Sequence, residues 1–189
     1  MQIVDNESVL LRLRNPARVM KHLDTAKHSG ANGVTVDWNL RETTILNALN
    51  IYVPSPIYGQ YAWPGKVPFE HQKKTASFLT LHRKAFCFNE QGTGKTASAI
   101  WASDYLIDLG MVRRVLVICP LSIMDSAWRT DLFTFAPHRK VAIAYGSANK
   151  RKEIIKSDAE FVIINYDGVS IVVDEIAKGD FDLIIVDEA

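Results

Sequence analysis

The sequence has little of what marks several large classes of protein. Its 189 residues contain two cysteines, no apolar run near the ~20 residues that span a membrane, and a formal net charge of +1. Both cysteines, Cys87 and Cys119, lie in apolar segments, which favours reduced thiols in a reducing intracellular compartment over a disulfide. The start, residues 1–7, lacks the basic and then apolar order of a secretion signal. We therefore expect no membrane partner and no binding of nucleic acid through overall charge.

What is present is the composition of an ordinary globular protein. Hydrophobic residues make up 48% of the chain and charged residues 23%, and the length gives room for a small domain with most of a second. The five histidines show no ligand spacing with cysteine or with one another, so we expect no histidine metal site. Function must therefore be sought in local motifs.

The chain changes character where four prolines and two glycines fall close together, between Pro54 and Pro68. Such a stretch does not support a regular helix and predicts a connector over residues 54–67. The residues before it, 1–53, predict a small α/β domain that is marginal unless it docks on its neighbour. Its predicted elements are a strand over 8–13, a helix over 16–27, a strand over 34–38 and a helix over 40–49.

After the connector, short apolar segments alternate with segments of helical spacing. This alternation implies right-handed crossovers and a parallel sheet with helices on both faces, so we predict an α/β fold for residues 68–189. Predicted strands cover residues 85–89, 114–119, 141–145, 161–164 and 183–186. Predicted helices cover residues 95–109, 122–135, 149–156 and 169–178.

A glycine-rich run, NEQGTGKT, occupies residues 89–96 between a predicted strand and a predicted helix. Glycines let successive main-chain N–H groups turn inward around phosphate oxygens, to which Lys95 adds a mobile cation. Thr96 opens the helix, where its hydroxyl can ligate Mg²⁺ and the helix N-terminus favours phosphate. The strict phosphate-loop pattern has glycine where this chain has Asn89. The candidate nucleotide-binding residues of the run are Gln91, Gly92, Thr93, Gly94, Lys95 and Thr96.

The last predicted strand ends at two carboxylates, Asp187 and Glu188. Residues 183–186 have the pattern of a buried strand, which puts both acids at the C-terminal edge of the sheet, where open α/β sheets bind ligands. One acid can hold a metal ion and the other can orient water. A solvated strand end would carry the same residues, but their combination with Lys95 favours the two halves of an ATP site.

Segments of the chain, in this order, resemble the first RecA-like lobe of a superfamily-two helicase, and most of all the Swi/Snf-type DNA translocases. They are FEHQ at 69–72, EQGTGKT at 90–96, CPLSIM at 119–124 followed by Trp128, IINYD at 163–167 and DEA at 187–189. The resemblance begins near Pro68 and continues to the end. It implies a RecA-like phosphate-loop NTPase lobe that follows the small α/β domain.

The resemblance also implies ATP and Mg²⁺ as cofactors, with Lys95 and Glu188 as catalytic residues. An amide offers the donor and acceptor that match adenine N6 and N7, and a carboxylate can act as general base where metal and phosphates hold water. The implied roles are adenine contact for Gln72, phosphate contact for Lys95, Mg²⁺ ligation for Thr96 and Asp187, and orientation of water for Glu188.

Nucleic acid, specifically double-stranded DNA, is the implied partner. Pro120 to Ser122 follows a strand and opens a helix, so its N–H groups and hydroxyl can contact a phosphate, although helix capping explains Ser122 equally well. Trp128, two turns into that helix, suits a core position better than a base-stacking one. The residues that we assign to nucleic-acid contact are Pro120, Ser122, Asn165 and Tyr166.

Two groups of basic residues stand out in this nearly neutral chain. Lys150–Lys152 with Lys156 makes a basic helix, and a solvated helix face is a commoner cause of such a run than a phosphate track. Between Ser8 and Lys27, five basic residues are accompanied by one acid, Asp24. We hypothesise that this segment contacts DNA phosphates, with a solvated face on a docking domain as the alternative.

Two positions depart from the Swi/Snf-type pattern, Asn89 and Thr93. The sequence also stops at Ala189, before the next strand of the family fold, which by the resemblance inserts between the strand predicted over 85–89 and the strand over 183–186. It stops as well before the second RecA-like lobe with its arginine finger. We therefore interpret the chain as the N-terminal part of an ATP-dependent DNA helicase or translocase, and expect these residues alone to lack appreciable ATPase activity. Two alternatives stay open: another phosphate-loop ATPase, such as a protein remodeller or restriction-type motor, and a non-hydrolysing ATP-binding module.

Overall fold

The computed structural model describes residues 1–188, which divide into two compact units. The first unit is formed by residues 1–62 together with 73–87, and the second by residues 63–72 together with those from 88 onward. The domain boundaries expected from composition, at residues 53 and 68, stay predictions. Within the described part of the chain, no helix combines the length and the apolar character needed to cross a bilayer.

The first unit is built on a four-stranded antiparallel sheet with the order β1–β2–β4–β3. The strands are β1 (Gln2–Val4), β2 (Ser8–Arg12), β3 (Lys27–His28) and β4 (Gly33–Asp37). Strands β2 and β4 pair so that alternate residues meet on one face, as the pleat requires. Helix α2 (Leu40–Ala48) packs on the core that this face forms. The buried hydrophobic residues that the two strands contribute are Val9, Leu11, Val34 and Val36.

The first unit differs from the sequence-based expectations at three places. The helix expected over residues 16–27 is a single turn, α1 (Ala17–Met20), after which the chain enters β3. Strands β1 and β3 were missed because they are three and two residues long, too short to show an alternating pattern. The proline-rich connector holds a helical turn, α3 (Ile57–Gln60), because Pro56 before it already has the φ of −57° that a helix start needs.

The second unit is built on a parallel sheet, which confirms the predicted fold class. Its order is β6–β7–β5–β8, and all its neighbouring strands run parallel. Every residue of β7 is buried, as expected for a parallel strand covered on both faces. The register aligns Cys119 with Asn165, and the Asp187 N–H bonds the Ile118 carbonyl, so these strands end at one edge. The strands are β5 (Val115–Cys119), β6 (Val141–Ile143), β7 (Phe161–Asn165) and β8 (Leu183–Val186).

Two predicted helices are irregular in the structure. The helix expected over 122–135 is a 3₁₀ turn and a π-helix, Met124–Arg129, before α-helical geometry begins at Thr130. The helix expected over 169–178 is interrupted at the fully buried Val172, whose φ of −130° is not helical. Tertiary packing takes precedence over local propensity there. The helices not yet named are α4 (Glu70–Leu81), α5 (Lys95–Asp108), α6 (Thr130–Phe135), α7 (Ala148–Ile155), α8 (Tyr166–Ile171) and α9 (Val173–Ala177).

The strand predicted over residues 85–89 does not form. These residues belong to neither sheet of the described chain, and Phe86 and Phe88 are 82% and 90% exposed. A strand exists only where its N–H and C=O groups pair with a neighbour, and an apolar pattern cannot supply that neighbour. Strand β8 does form, and within residues 1–188 it pairs with β5. Its Ile184 and Val186 are about half exposed, whereas the sequence pattern predicted a buried strand.

Candidate functional site

The glycine-rich run forms a tight turn that ends at the start of α5. Gly92 and Gly94 both have φ of +78°, the left-handed region in which an L side chain is strained. Gly94 is the N-cap residue of α5, so its conformation directs the N–H groups at the helix start. Thr93 closes the turn by donating from its hydroxyl to the Glu90 carbonyl oxygen at 2.8 Å. Left-handed residues at the start of a helix are a feature of main-chain anion cradles, and this turn fits that pattern.

Lys95 lies across this turn. Its Nζ donates to the carbonyl oxygens of Asn89 and Glu90 at 2.9 and 3.1 Å. An ammonium group has a further N–H, which is left for another acceptor such as a phosphate oxygen. Because Lys95 bonds the main-chain carbonyl of Asn89, the side chain at that position is not what holds the lysine.

Gln72 is placed against the turn by the first part of α4. Its amide nitrogen donates to the Thr93 carbonyl oxygen at 3.3 Å, and its amide oxygen accepts from the Phe69 N–H at 2.9 Å. Both ends of the amide retain hydrogen-bonding capacity, since the nitrogen carries another hydrogen and the oxygen another lone pair. The predicted adenine contact is compatible with this geometry and stays a prediction.

Asp187 is held from several sides. Trp128 Nε1 donates to Asp187 Oδ2 at 2.8 Å, and the Tyr166 hydroxyl donates to the Asp187 carbonyl oxygen at 2.7 Å. The Asp187 N–H extends the parallel ladder by donating to the Ile118 carbonyl oxygen at 2.9 Å. None of the hydrogen bonds described for residues 1–188 uses Oδ1, which is therefore available to a cation.

Two neutral groups, the Cys119 thiol and the Tyr166 hydroxyl, lie near the carboxylates at this edge of the sheet. Burial, with added contributions from the charges of Asp187 and Glu188, raises the pKa of the Cys119 thiol to about 11. Burial and then the charge of Asp187 also raise the pKa of Tyr166. Both groups are protonated at physiological pH, so the two carboxylates carry the local charge and favour a cation.

The donors present fit a nucleotide with Mg²⁺. Thr96, the second residue of α5, and Asp187 offer hydroxyl and carboxylate oxygens, which are the ligand types that Mg²⁺ prefers. Glu188 is exposed and has φ of +54°, a conformation uncommon for an L residue and concentrated at functional sites. The anion cradle with its lysine would take the phosphates, and the free oxygen of Asp187 would take the metal.

The four residues assigned to nucleic acid differ in accessibility. Ser122 is exposed in the 3₁₀ turn after β5 and Pro120 is half-buried, and no side chain caps this turn. Tyr166 is 38% exposed, although its hydroxyl is used by Asp187. Asn165 is buried, and its Oδ1 accepts from Arg151 at 3.0 Å. Contact of these residues with nucleic acid stays a prediction.

The basic helix α7 is not a uniformly solvated face. Arg151 is buried and donates to the carbonyl oxygens of Ala144 and Gly146 at 2.7 and 3.0 Å. Lys152 pairs with Glu175 at 2.8 Å. These two cations are therefore engaged within the unit, which weakens the idea of a continuous phosphate track.

Two residues that contact the site were not among the site residues predicted from the sequence. His71 Nε2 lies 3.0 Å from the Thr93 carbonyl oxygen, and the imidazole stacks on Phe69 with ring centroids 5.6 Å apart. Trp128 is 1% exposed, which confirms the core interpretation, but its N–H also bonds Asp187. The available signal was that a buried indole N–H almost always needs an acceptor.

Another titratable cluster belongs to the architecture of the second unit. Asp104, Asp108 and His138 lie close enough together to hold a cation. That cation is Arg139, whose guanidinium pairs with Asp104 at 2.5 Å, with Asp108, and with Glu160 at 3.0 Å. The network ties α5 to the segment before β6, and we assign it no metal.

Known proteins similar to this chain include a chromatin regulator and an ATP-dependent helicase, by their names. The human SWI/SNF-related matrix-associated actin-dependent regulator of chromatin subfamily A containing DEAD/H box 1 is 26% identical over 156 residues, which are 80% of this chain and 14% of that protein. An uncharacterised ATP-dependent helicase of Mycoplasma genitalium is 27% identical over 103 residues, 53% of this chain and 10% of that protein. The chain thus spans a small part of the length of these relatives.

Solved structures with the same fold include the SWI2/SNF2 ATPase core of Sulfolobus solfataricus. Compared with the structure of that core in complex with double-stranded DNA, this chain has a TM-score of 0.54 and a sequence identity of 22%. The comparison covers 65% of this chain and 26% of the other chain. A structure of that ATPase core domain has a TM-score of 0.51, over 67% of this chain. At this identity the likeness bears on the fold, and it supports a RecA-like lobe.

The family model of the SNF2-related domain matches residues 35–189. The match contains the glycine-rich turn with Lys95 and the strand end with Asp187, so it includes both parts of the site. It begins in β4, earlier than the position near Pro68 where the resemblance was placed from motifs. The chain therefore belongs to the SNF2-related domain family.

Proposed function

We propose that this chain is the ATP-binding lobe of an ATP-dependent DNA translocase or helicase. The observation that carries the proposal is a lysine-bearing glycine turn in the same unit as a carboxylate held at the sheet edge with one free oxygen. Membership in the SNF2-related family supports the use of ATP. The relative solved in complex with double-stranded DNA supports DNA as the partner.

Each residue then has a defined task in phosphoryl transfer, which depends chiefly on positioning and charge stabilisation. The turn N–H groups and Lys95 bind the β- and γ-phosphates, and Gln72 selects adenine through its amide. Thr96 and Asp187 hold Mg²⁺, which neutralises phosphate charge when bound. Glu188 accepts a proton from the attacking water.

A second RecA-like lobe completes the proposed motor. ATP closes two lobes around DNA and hydrolysis reopens them, which produces movement along the duplex. In related phosphoryl-transfer enzymes, an arginine finger contributes on the order of 10³ to 10⁵ in rate. Because we expect that arginine on the second lobe, the 189 residues alone should hydrolyse ATP negligibly.

ATP hydrolysis by the full-length gene product, with and without double-stranded DNA, tests the proposal. Double-stranded DNA should stimulate ATP hydrolysis by the unsubstituted protein, here called the parent. Lys95→Ala should reduce hydrolysis to background because the phosphates lose their nearest cation. Lys178→Ala, which removes an exposed lysine after α9, is the control and should leave the rate unchanged.

Hydrolysis by Lys95→Ala at the parental rate would overturn the assignment of the site. ATP binding without turnover in the parent would instead favour the non-hydrolysing module. Stimulated turnover coupled to DNA cleavage would favour the restriction-type motor.

A further inference from the structure

We infer that Trp128 is a positioning residue for Asp187, whose indole N–H orients the carboxylate for metal binding. The two residues are 59 positions apart in the chain, yet Nε1 and Oδ2 lie 2.8 Å apart. The inference rests on the proposed function, because it assigns the free oxygen of Asp187 to Mg²⁺.

The group that donates to the Asp187 carboxylate is uncharged, which matters for metal binding. A lysine or arginine at this position would neutralise the carboxylate and compete with a metal ion, whereas an indole N–H is uncharged. Trp128 therefore restricts the rotation of the Asp187 side chain without cancelling the charge that attracts Mg²⁺. Outer hydrogen bonds of this type fix ligand orientation in many metal sites.

The bond is also rigid. Trp128 is 1% exposed, so close packing on all sides restricts its ring. Tyr166 holds the other side of the residue by donating to the Asp187 carbonyl oxygen at 2.7 Å. With the main chain and Oδ2 both held, Oδ1 is the carboxylate oxygen left for the metal.

The helix that carries Trp128 is specialised. Residues Met124–Arg129 form a π-helix, a rare conformation that is frequent at functional sites. Met124 and Trp128 are both buried, so the widened turn presents both toward the interior. The Asp125 carbonyl oxygen accepts both a main-chain N–H at the end of the π-helix and the Thr130 hydroxyl, the latter at 3.0 Å.

Trp101 provides a matched control in the same unit. It is also 1% exposed, and its Nε1 donates at 2.9 Å, but the acceptor is the Pro64 carbonyl oxygen. Trp128→Phe and Trp101→Phe thus remove the same buried donor and similar volume. Only the first change removes a contact with Asp187.

The decisive measurement is the affinity of the full-length gene product for a non-hydrolysable ATP analogue, with and without Mg²⁺. Trp128→Phe should reduce the gain in affinity due to Mg²⁺ by about 10-fold, the lower end of the range for such outer contacts. Metal-free affinity should change little, and Trp101→Phe should keep the parental response to Mg²⁺.

A direct measurement of the hydrogen bond does not depend on ligand binding. In protein labelled with ¹⁵N-tryptophan, Trp128→Phe identifies the Trp128 indole signal by its disappearance. Asp187→Asn should shift that signal and leave the Trp101 signal in place.

An unmoved Trp128 signal in Asp187→Asn would overturn the inference. The inference would also be overturned if Mg²⁺ raised the nucleotide affinity of Trp128→Phe as much as that of the parent. An equal loss of the Mg²⁺ effect in Trp101→Phe would overturn it too. If the nucleotide affinity of the unsubstituted protein did not depend on Mg²⁺, the proposed function would be overturned, and the role of Trp128 with it. The indole signal would still report whether the hydrogen bond between Trp128 and Asp187 exists.

Discussion

Gln72 and Gly94 fit against each other with no room for a side chain between them. An ideal Cβ on Gly94 would lie 2.1 Å from Gln72 Nε2. Gly92 has the same φ of +78°, but a Cβ there would meet nothing within 4 Å. Conformation therefore requires glycine at both positions, and close approach requires it additionally at Gly94.

Alanine substitutions should separate these two requirements. Gly92→Ala should lower the free energy of unfolding by about 1–2 kcal/mol, the cost of a left-handed L residue. Gly94→Ala should cost more because it also displaces the Gln72 amide, and this excess should vanish in a Gln72→Ala background. Denaturant unfolding of Gly92→Ala, Gly94→Ala, Gln72→Ala and the Gln72→Ala/Gly94→Ala double variant measures the cost of each substitution. Equal costs at the two glycines would contradict the contact.

Glu188→Gln should leave ATP binding intact and stall hydrolysis. The substitution keeps the size and most hydrogen-bonding capacity of the side chain while removing the base, which is typically worth about 10²–10⁴-fold in rate. Nucleotide affinity and the single-turnover rate of the full-length gene product should be measured separately. Glu153→Gln, at an exposed position on α7, is the control. An unchanged turnover rate would assign the base to another residue.

Asp182 should make stability depend on pH. Its Oδ2 accepts from the N–H groups of Arg113 and Arg114 at 2.8 and 3.3 Å, and the Arg113 N–H foremost lowers the pKa of Asp182. A lowered folded-state pKa adds stability above the unfolded-state value of about 3.9, and this stability is lost as pH falls through the folded-state value.

Asp182→Asn should therefore be less stable than the parent at neutral pH, by less than about 1 kcal/mol because the group is partly solvated. The difference should shrink toward zero as pH falls below the lowered folded-state pKa of Asp182, where the parent carboxylate is also protonated. Denaturant unfolding at pH 7 and in acid measures it. A deficit that is the same at both pH values would rule out the charge as its cause.

The basic segment of the first unit should contribute to DNA affinity. None of the ion pairs described for residues 1–188 uses its cations, and Arg12 and Arg14 are exposed. Replacing both with Gln should weaken DNA binding and flatten its salt dependence by about one unit of slope per lost phosphate contact, with ATP affinity unchanged.

The matched control for this prediction replaces Arg83 and Lys84, two exposed cations of the same unit, with Gln. The binding of DNA is measured across a salt series for both double variants. An identical salt slope in the Arg12 and Arg14 variant and the parent would favour a docking role for the first unit instead.

Local features of the site could be predicted because residue type alone implies them. Gly92 and Gly94 mark positions of positive φ, and the continuous apolar run of residues 161–164 marks a strand covered on both faces. The strand predicted over 85–89 failed for the opposite reason. Its pattern was adequate, but a strand also needs a paired neighbour, which the pattern does not describe.

Sequence by itself therefore determined the family, the parallel sheet and the glycine turn, all of which depend on residue types at fixed spacing. Only the tertiary structure decided which groups surround Asp187. Trp128 and Tyr166 are 59 and 21 residues from it, and both reach it only because neighbouring strands of one sheet end at the same edge. Periodicity predicts that an indole is buried, whereas its hydrogen-bond acceptor depends on strand order, register and the widened turn of the π-helix.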